Sequence, residues 1–255
     1  MNGQINSQQR AHRYFMPPKK LLRHAGNAIT EFNMIQDGDR VLLGLSGGKD
    51  SLSLLHVLLH LQAVAPIQFE VAAITVDPMS DSFDPSPLKD YLAELGVQYF
   101  YKSQPIMELG KQHMKGDSYC SWCARMKRGI MYSTARRESF NVLALAQHQD
   151  DLAESFLMSA LYGGQLRTMK AHYTNKEGDV RIIRPLIYVR ESQTRAFAEA
   201  AELPVINENC PACFSMPTQR QHIKALLLQE ESHNKYIYSS IMTAIKPLYS
   251  KNDAK

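Results

Sequence analysis

A short apolar strand pattern that runs straight into a glycine-rich turn constrains the fold of this chain more than any other feature. RVLLGLS (40–46) predicts a buried strand, because its apolar run is short and ends at glycines. SLSLLHVLLHLQAV (51–64) then has helical spacing, with Pro66 beyond its end. Gly47 and Gly48 let backbone N–H groups approach an anion at the positive end of the helix dipole. The stretch therefore predicts a phosphate-binding loop between a strand and a helix.

The same alternation of strand and helix continues along the chain. Further buried strands and one extended segment are predicted at 69–77, 97–103, 141–147 and 180–189. This alternation argues for a Rossmann-like α/β fold, a doubly wound parallel sheet with helices on both faces. Ligands bind such sheets at the carboxyl ends of the strands, where the glycine loop, Asp77 and the group His148–Asp151 all fall. A helix at 21–35 and the C-terminal helices would be helical additions at both ends.

Length and composition set the expected organisation. With 255 residues, 44% of them hydrophobic, the chain can form one large domain with small attachments. We expect a flexible basic segment at 1–20, a nucleotide-binding catalytic domain at 21–230, and a C-terminal helix and tail at 231–255. A transmembrane-length apolar run and a secretory signal are both missing from the sequence, so the predicted location is the cytoplasm, without a membrane partner. The net charge of +4 permits a nucleic-acid partner without requiring one.

The four cysteines form two C-x-x-C pairs, Cys120–Cys123 and Cys210–Cys213. Disulfides are disfavoured in cytosolic proteins, so such pairs indicate metal or redox chemistry. One pair alone fits a dithiol, half of a zinc site or part of an iron–sulfur site. On spacing alone, a structural zinc site and an iron–sulfur site both stay open.

The loop string SGGKDS (46–51) is rich in groups that bind phosphate. Lys49 supplies a point charge, and Ser46 and Ser51 supply hydroxyls. It is not a Walker A loop, because Asp50 separates Lys49 from Ser51 and the glycine spacing is one residue short. A bare Gly-Gly turn could merely pack a helix on a sheet, but the complete string between strand and helix favours nucleotide binding.

This string resembles the pyrophosphatase loop, or PP-loop, of the adenine-nucleotide α-hydrolase superfamily, whose members split ATP into AMP and pyrophosphate. The blocks that resemble one family within it are NMIQDGDRVLLGLSGGKDSL, CSWCARMKRGIMY, QHQDD, LYGGQLRTM, IRPLIYVRE and CFSMPTQRQ. They span about residues 21–230. The family is the tRNA 2-thiocytidine synthetases, which thiolate cytidine in the tRNA anticodon loop. The resemblance implies an ATP-dependent sulfurtransferase that adenylates cytidine O2 before sulfur attacks the base.

The resemblance also assigns site residues. The residues for the PP-loop and for the iron–sulfur site would both lie in the domain at 21–230. The residues that would bind ATP are Ser46, Gly47, Gly48, Lys49, Asp50, Ser51 and Asp77. The predicted catalytic residues are Lys49, Asp50 and Lys127. Asp77 ends a strand where the family contacts adenosine, although a simple strand-end turn is the alternative. Lys127 matches a basic position near the nucleotide, and its alternative is a solvated basic face.

The resemblance implies a [4Fe–4S] cluster held by Cys120, Cys123 and Cys213. One iron without a protein ligand would then hold a hydrosulfide, and Cys210 would be a neighbour, a substitute ligand or a buried thiol. The adjacent carboxylates of Asp150 and Asp151 are predicted to bind Mg²⁺ on the triphosphate, since Mg²⁺ prefers oxygen ligands. The alternative for these two is an acidic helix N-terminus that only stabilises the helix dipole.

The chain departs from the family pattern just before the acidic pair. Ala146-Gln147 stands where the family usually has a glycine and a histidine, which bears on the nucleotide geometry and on the target. The predicted partners are tRNA and a sulfur donor such as a cysteine desulfurase, and a homodimer stays open. Rival functions are a PP-loop ligase with another nucleophile and an RNA-binding module with structural zinc. The cations that could track an RNA backbone are Arg10, Arg13, Lys19, Lys20, Arg23, Arg136, Arg137, Arg167, Lys170, Arg184 and Arg190.

Overall fold

A computed structural model describes residues 14–80, 83–113, 119–206 and 219–250. Its strands are β1 (Asp39–Gly44), β2 (Phe69–Asp77), β3 (Gln98–Ser103), β4 (Val142–Ala144), β5 (His172–Thr174) and β6 (Arg181–Ile183). They form one sheet in the order β3-β2-β1-β4-β6-β5. All neighbours pair in parallel except β5, which is antiparallel to β6 at the edge of the sheet. The strand order reverses between β1 and β4, so the predicted doubly wound α/β sheet is confirmed.

Helices connect and flank the strands. They are α1 (Lys19–Glu31), α2 (Lys49–Val64), α3 (Ser86–Leu95), α4 (Ile106–His113), α5 (Tyr119–Arg137), α6 (Gln149–Gly163), α7 (Glu191–Ala200), α8 (Gln219–His233) and α9 (Ile237–Ser250). No helix among the described residues combines the length and apolar character needed to cross a membrane.

Strand β1 runs through the centre of the sheet and is apolar along its length because both of its faces are covered. Val41 and Leu43 belong to the hydrophobic cluster that includes α2. Leu42, between them, belongs to the cluster on the other face, with Ile74 and Leu143. Alternation of side chains between two covered faces produces the continuous apolar run seen in the sequence. Helix α2 follows β1 and is itself buried over its first turns, which fixes the start of that helix on the sheet.

Several predicted elements differ in detail from the structure. Of the extended segment 180–189, only β6 joins the sheet, because the chain turns at Pro185, which has no N–H for a ladder. The antiparallel edge strand β5 was not predicted. Helix α1 spans Lys19–Glu31 instead of 21–35. Residues 14–20 of the segment expected to be flexible are described, and the Tyr14 hydroxyl lies 3.0 Å from Nδ1 of His60 on α2.

Candidate active site

The loop between β1 and α2 opens into a cavity of about 350 Å³ at the carboxyl edge of the sheet. Its polar lining comes from the loop, α5, the end of β4, α6 and α8, namely Ser46, Gly48, Asp50, Ser51, Lys127, Gln147, Asp151 and Arg220. This is the switch point of the strand order, where ligands bind in such folds. A larger cavity of about 580 Å³ lies where the amino ends of β1, β2 and β3 meet, and none of the predicted site residues line it.

Glycine is required at one position of the loop by both conformation and space. Gly47 has φ +88°, and a Cβ there would lie 2.9 Å from Cδ1 of Ile206. The Ile206 N–H donates to the Gly47 carbonyl at 2.9 Å, which ties the loop to the segment after α7. The Gly48 N–H donates to Ser46 Oγ at 3.2 Å, and Ser51 Oγ donates to the Gly48 carbonyl at 2.9 Å. The predicted loop residues are therefore held together in one compact turn.

The loop lysine lies in a network of alternating charges. Lys49 Nζ is 2.9 Å from Asp50 and 3.0 Å from Glu191, and Lys224 Nζ is 2.6 Å from the second oxygen of Glu191. Thr194 donates to the other oxygen of Asp50. Burial acts to lower the pKa of Lys49, but the two carboxylates outweigh it and raise the pKa. Burial opposes ionisation of Glu191 too, yet hydrogen bonds from Lys224 and Lys49 hold its pKa at about 2. Lys49 therefore keeps its positive charge beside the loop.

The two carboxylates predicted to bind magnesium lie in different surroundings. Asp150 is 4% exposed, and its oxygens accept hydrogen bonds from Nε of Arg190 and from the Glu191 N–H. Asp151 caps the start of α6, because its carboxylate accepts the His148 N–H at 3.0 Å while its own N–H donates to the His148 side chain. Only Asp151 of the pair lines the cavity. The magnesium role stays a prediction, and this geometry favours Asp151 for it.

Helix α8 adds a cation to the cavity wall opposite the loop. Arg220 Nε lies 3.2 Å from Glu154, and Nη2 lies 3.8 Å from Asp151. Burial raises the pKa of Glu154 to about 7 even though Arg220 opposes the shift. The His148 ring connects this wall to the loop, since its Nε2 lies 3.7 Å from Asp50. Asp50, Asp151 and Glu154 thus each have a cationic side chain beside them.

The two remaining residues predicted near the nucleotide, Asp77 and Lys127, lie in different places. Asp77 accepts hydrogen bonds from the Met79 N–H at 2.7 Å and from the Tyr101 hydroxyl at 2.5 Å. That bond, with burial, raises the pKa of Tyr101 to about 12. Asp77 does not line the cavity, whereas Lys127 does, with its Nζ 5.9 Å from the Phe83 ring centroid. The cavity therefore brings Lys127 to the loop but leaves the Asp77 side chain engaged at the end of β2.

Helix α5 links the first cysteine pair to the cavity. Cys120 and Cys123 are one turn apart at the start of this helix, and Cys123 is half-buried against the core. Cys123, Lys127 and Met131 are spaced four residues apart, which aligns them on one helical face. Lys127 and Met131 both line the cavity. A group held by the cysteine pair would therefore lie on the same side of α5 as the candidate nucleotide site.

The predicted iron–sulfur cluster and Mg²⁺ each need a set of protein ligands. The side chain of Cys120, and Cys210 and Cys213 altogether, lie outside the described residues. Over the part of the chain that is described, no three His, Cys, Asp or Glu side chains converge as a metal cage. Two cysteines one turn apart suit shared ligation of one cluster. Asp50 and Asp151, both on the cavity wall, suit Mg²⁺, which takes its remaining ligands from phosphates and water.

Some site residues were not predicted, and one earlier expectation was wrong. Glu191 and Thr194 contact Asp50 or Lys49 from more than 140 positions away, so no local pattern could reveal them. Arg220 lay inside a family block without an assigned role. Arg184 was expected among the cations that track RNA, but it is 4% exposed and cannot do so. Arg190 is also engaged, through ion pairs with Asp150 and Glu231.

Fold and site together define the class, a PP-loop nucleotide-binding protein, and residues 17–230 match the family model of the PP-loop domain. The chain is 36% identical over 228 residues to the tRNA-cytidine(32) 2-sulfurtransferase of Geobacter sulfurreducens, covering 89% of each chain. It is 40% identical over 215 residues to the protein of that name from Pseudomonas paraeruginosa, covering 84% of this chain and 78% of the relative. This chain belongs to the PP-loop family of tRNA-cytidine(32) 2-sulfurtransferases, so the family resemblance is confirmed.

A solved structure shares the fold at lower identity. The U34-tRNA thiolase NcsA from Methanococcus maripaludis, with its [4Fe–4S] cluster, matches with a TM-score of 0.74 and 21% identity. The match covers 96% of this chain and 84% of that chain. It supports the α/β architecture described above.

Proposed function

We propose that this chain is an ATP-dependent and iron–sulfur-dependent sulfurtransferase that forms 2-thiocytidine in tRNA through an adenylated base. The observation that carries the proposal is the cavity itself, which joins the complete SGGKDS loop to the cysteine-bearing helix α5 through Lys127. The names of the relatives support cytidine 32 of tRNA as the acceptor. The division into 1–20, 21–230 and 231–255 remains part of this proposal.

The first chemical step would be adenylation of the base. Backbone N–H groups at the start of α2 and the charge of Lys49 hold the β,γ-pyrophosphate, which leaves the α phosphorus open. Cytidine O2 attacks this phosphorus, the O2–P bond forms, and the bond to the bridging oxygen breaks. Pyrophosphate departs with the electron pair of that bond. Asp50 and Asp151 are the residues that would hold Mg²⁺, which when bound neutralises charge on the phosphates.

The second step would replace oxygen by sulfur. A sulfur nucleophile attacks C2 of the activated base, the C2–O2 bond breaks, and AMP leaves with the oxygen. Cys120, Cys123 and Cys213 are the residues that would hold a [4Fe–4S] cluster, which would supply the sulfur for this step. Lys127, on the same face of α5 as Cys123, stabilises the negative charge of the departing AMP. The partners of this proposal are tRNA, a sulfur donor such as a cysteine desulfurase, and a second copy in a homodimer.

The cysteines give the test that separates this proposal from its rivals. Alanine variants of Cys120, Cys123, Cys213 and Cys210 are purified anaerobically and reconstituted, and their iron, zinc and tRNA thiolation are measured. We expect the first three to lose iron and thiolation, because each would ligate the cluster. Cys210→Ala is the matched control and should lose much less, because a fully ligated cluster has no position for sulfide.

Each rival gives a different result in the same experiment. A structural zinc site needs a closed tetrahedral shell, so all four variants would lose zinc equally. Full thiolation by Cys213→Ala would show that the ligand from the second pair is Cys210. ADP and phosphate as products, instead of AMP and pyrophosphate, would refute the PP-loop mechanism. Nucleoside analysis of the treated tRNA identifies the modified base, and a product other than 2-thiocytidine would refute the proposed substrate.

A further inference from the structure

A buried arginine beside the cavity has no carboxylate partner. Arg184 is 4% exposed, and its Nε and Nη1 donate to Gln147 Oε1 at 2.8 Å and to the Lys170 carbonyl at 2.6 Å. Its guanidinium carbon lies 5.6 Å from the centroid of the Tyr173 ring. No acidic side chain in the described part of the chain forms an ion pair with it. A buried charge that has only neutral partners is costly, so the arrangement calls for a role other than stability.

The contact with Arg184 fixes the orientation of the Gln147 amide. A guanidinium can only donate, so the amide oxygen must face Arg184 and the amide NH₂ must face elsewhere. Gln147 lines the cavity, and its NH₂ has no acceptor among the described residues. If the amide turned over, its NH₂ would face the Arg184 guanidinium, and two donors would oppose each other. The cavity wall therefore presents a fixed hydrogen-bond donor. A histidine at this position could present either a donor or an acceptor.

Strand register locates this donor relative to the loop. Leu43 pairs with Ala144 and Gly44 pairs with Ile74, so the loop after β1 has the end of β4 on one side and the end of β2 on the other. Ser46, Gln147 and Val76 all line the cavity. A base that approaches the loop from the side of β4 would therefore meet the Gln147 amide.

We propose that Gln147 selects cytosine against uracil by donating its fixed amide NH₂ to N3 of the target base, with Arg184 as the residue that positions it. Ring N3 is an acceptor in cytosine, whereas in uracil it carries a hydrogen and would meet the amide donor head-on. A site built to hydrogen-bond one group rejects an analogue that cannot complete the bond. The inference rests on the proposed function, because it assumes that a pyrimidine base of tRNA enters this cavity.

The test uses pyrophosphate release, which requires adenylation but no sulfur. Two tRNA transcripts that differ only in C or U at position 32 are assayed with the full-length enzyme and ATP. Wild-type enzyme should strongly prefer the C transcript. Gln147→Ala should lower kcat/KM for the C transcript by about 3–10-fold, as expected for one hydrogen bond. It should raise kcat/KM for the U transcript, because the donor that opposes the uracil N3–H is gone. Gln147→Glu, which as a carboxylate offers only acceptors, should lower kcat/KM for the C transcript further and raise kcat/KM for the U transcript. Gln98→Glu, at the opposite edge of the sheet, is the matched control.

The positioning role of Arg184 has its own readout. Arg184→Met should reduce the ratio of kcat/KM for the C transcript to kcat/KM for the U transcript in the wild-type background, but not in the Gln147→Ala background. Arg184→Lys, which can still donate to Gln147, should retain part of this C-over-U ratio. A change of ratio by Arg184→Met in both backgrounds would overturn the positioning role. Equal losses on C and U with a raised KM for ATP in Gln147→Ala would mean that the amide binds nucleotide, and would overturn the inference. Pyrophosphate release by wild type with neither transcript would instead refute the proposed function.

Discussion

Replacement of Gly47 by alanine tests whether the loop owes its shape to that glycine. Gly47 has φ +88°, a region that L-residues with a side chain rarely occupy. An alanine Cβ would also lie 2.9 Å from Cδ1 and 3.1 Å from Cβ of Ile206. The two effects are separable, because the first belongs to the backbone of one residue and the second to a pair of side chains.

The expected loss of stability in Gly47→Ala is the sum of the backbone cost and the steric cost. A left-handed conformation costs alanine about 1–2 kcal/mol relative to its ordinary conformations. Overpacking against Ile206 adds about 1–3 kcal/mol. A destabilisation of about 2–5 kcal/mol should lower the Tm of a chain of this size by roughly 5–15 °C. Ile206→Ala removes the atoms beyond Cβ, so Gly47→Ala should cost about 1 kcal/mol less in that background.

Urea unfolding of the full chain, followed by far-UV circular dichroism, measures all four corners of this double-mutant cycle. Gly48→Ala is the control, because Gly48 has φ −73° and the nearest atom to its added Cβ is Ser46 Oγ at 3.4 Å. It should change the free energy of unfolding little. A Gly47→Ala protein as stable as wild type would refute the conformational argument. If Gly47→Ala lowered the free energy of unfolding equally in the wild-type and Ile206→Ala backgrounds, the steric part of the argument would be refuted.

Further predictions concern the charges around the cavity. Lys49→Ala should abolish ATP-dependent pyrophosphate release while the circular dichroism spectrum stays that of the wild type, since loop residues carry function on a rigid scaffold. Asp151→Ala should raise the Mg²⁺ concentration needed for half-maximal turnover, whereas Asp150→Ala should leave it unchanged. Asp150→Ala should destabilise the fold by about 2 kcal/mol, because Arg190 Nε and the Glu191 N–H lose their acceptor. Glu154→Gln should remove a pH dependence of stability. The wild-type pKa is about 7 in the folded chain against 4.5 ordinarily, so the folded state binds more protons and its stability falls as pH rises between these values.

Each of these predictions has a result that would contradict it. Normal pyrophosphate release by Lys49→Ala would remove the lysine from the mechanism. A magnesium requirement that shifts in Asp150→Ala but not in Asp151→Ala would reverse the assignment within the pair. Urea unfolding at pH 5 and pH 8 that changes equally in wild type and Glu154→Gln would show that Glu154 titrates as an ordinary carboxylate.

The central elements could be predicted from the sequence because their signals are local. The strand, glycine turn and helix around residues 39–64 combine a short apolar run, positive-φ glycine and helical spacing within one stretch. The segment 180–189 has an equally apolar pattern but leaves the sheet at Arg184. Burial alone makes a segment apolar, so such a run does not distinguish a strand from a buried turn.

The site was predictable only where one residue type implies one role. Adjacent aspartates at a helix start point about 100° apart, so the sequence could not tell that Asp150 meets Arg190 while Asp151 faces the cavity. Glu191 reaches Lys49 only because β1, β4 and β6 are neighbours in the sheet. The Arg184–Gln147 contact depends on the same order of strands. Long-range contacts of this kind follow from topology, which no local pattern encodes.

The pairing of Lys49 with two carboxylates has a consequence for the release of product. Asp50 and Glu191 are attached to the fold, so they compete for the lysine at a fixed and high effective concentration. A triphosphate with several charged oxygens can displace them, but AMP has a single phosphate with which to compete. In the proposed reaction, the carboxylates would return to Lys49 once pyrophosphate has left, and the loop would lose its attraction for the remaining nucleotide. The loop would thereby empty itself after each turnover and keep AMP from acting as a strong inhibitor.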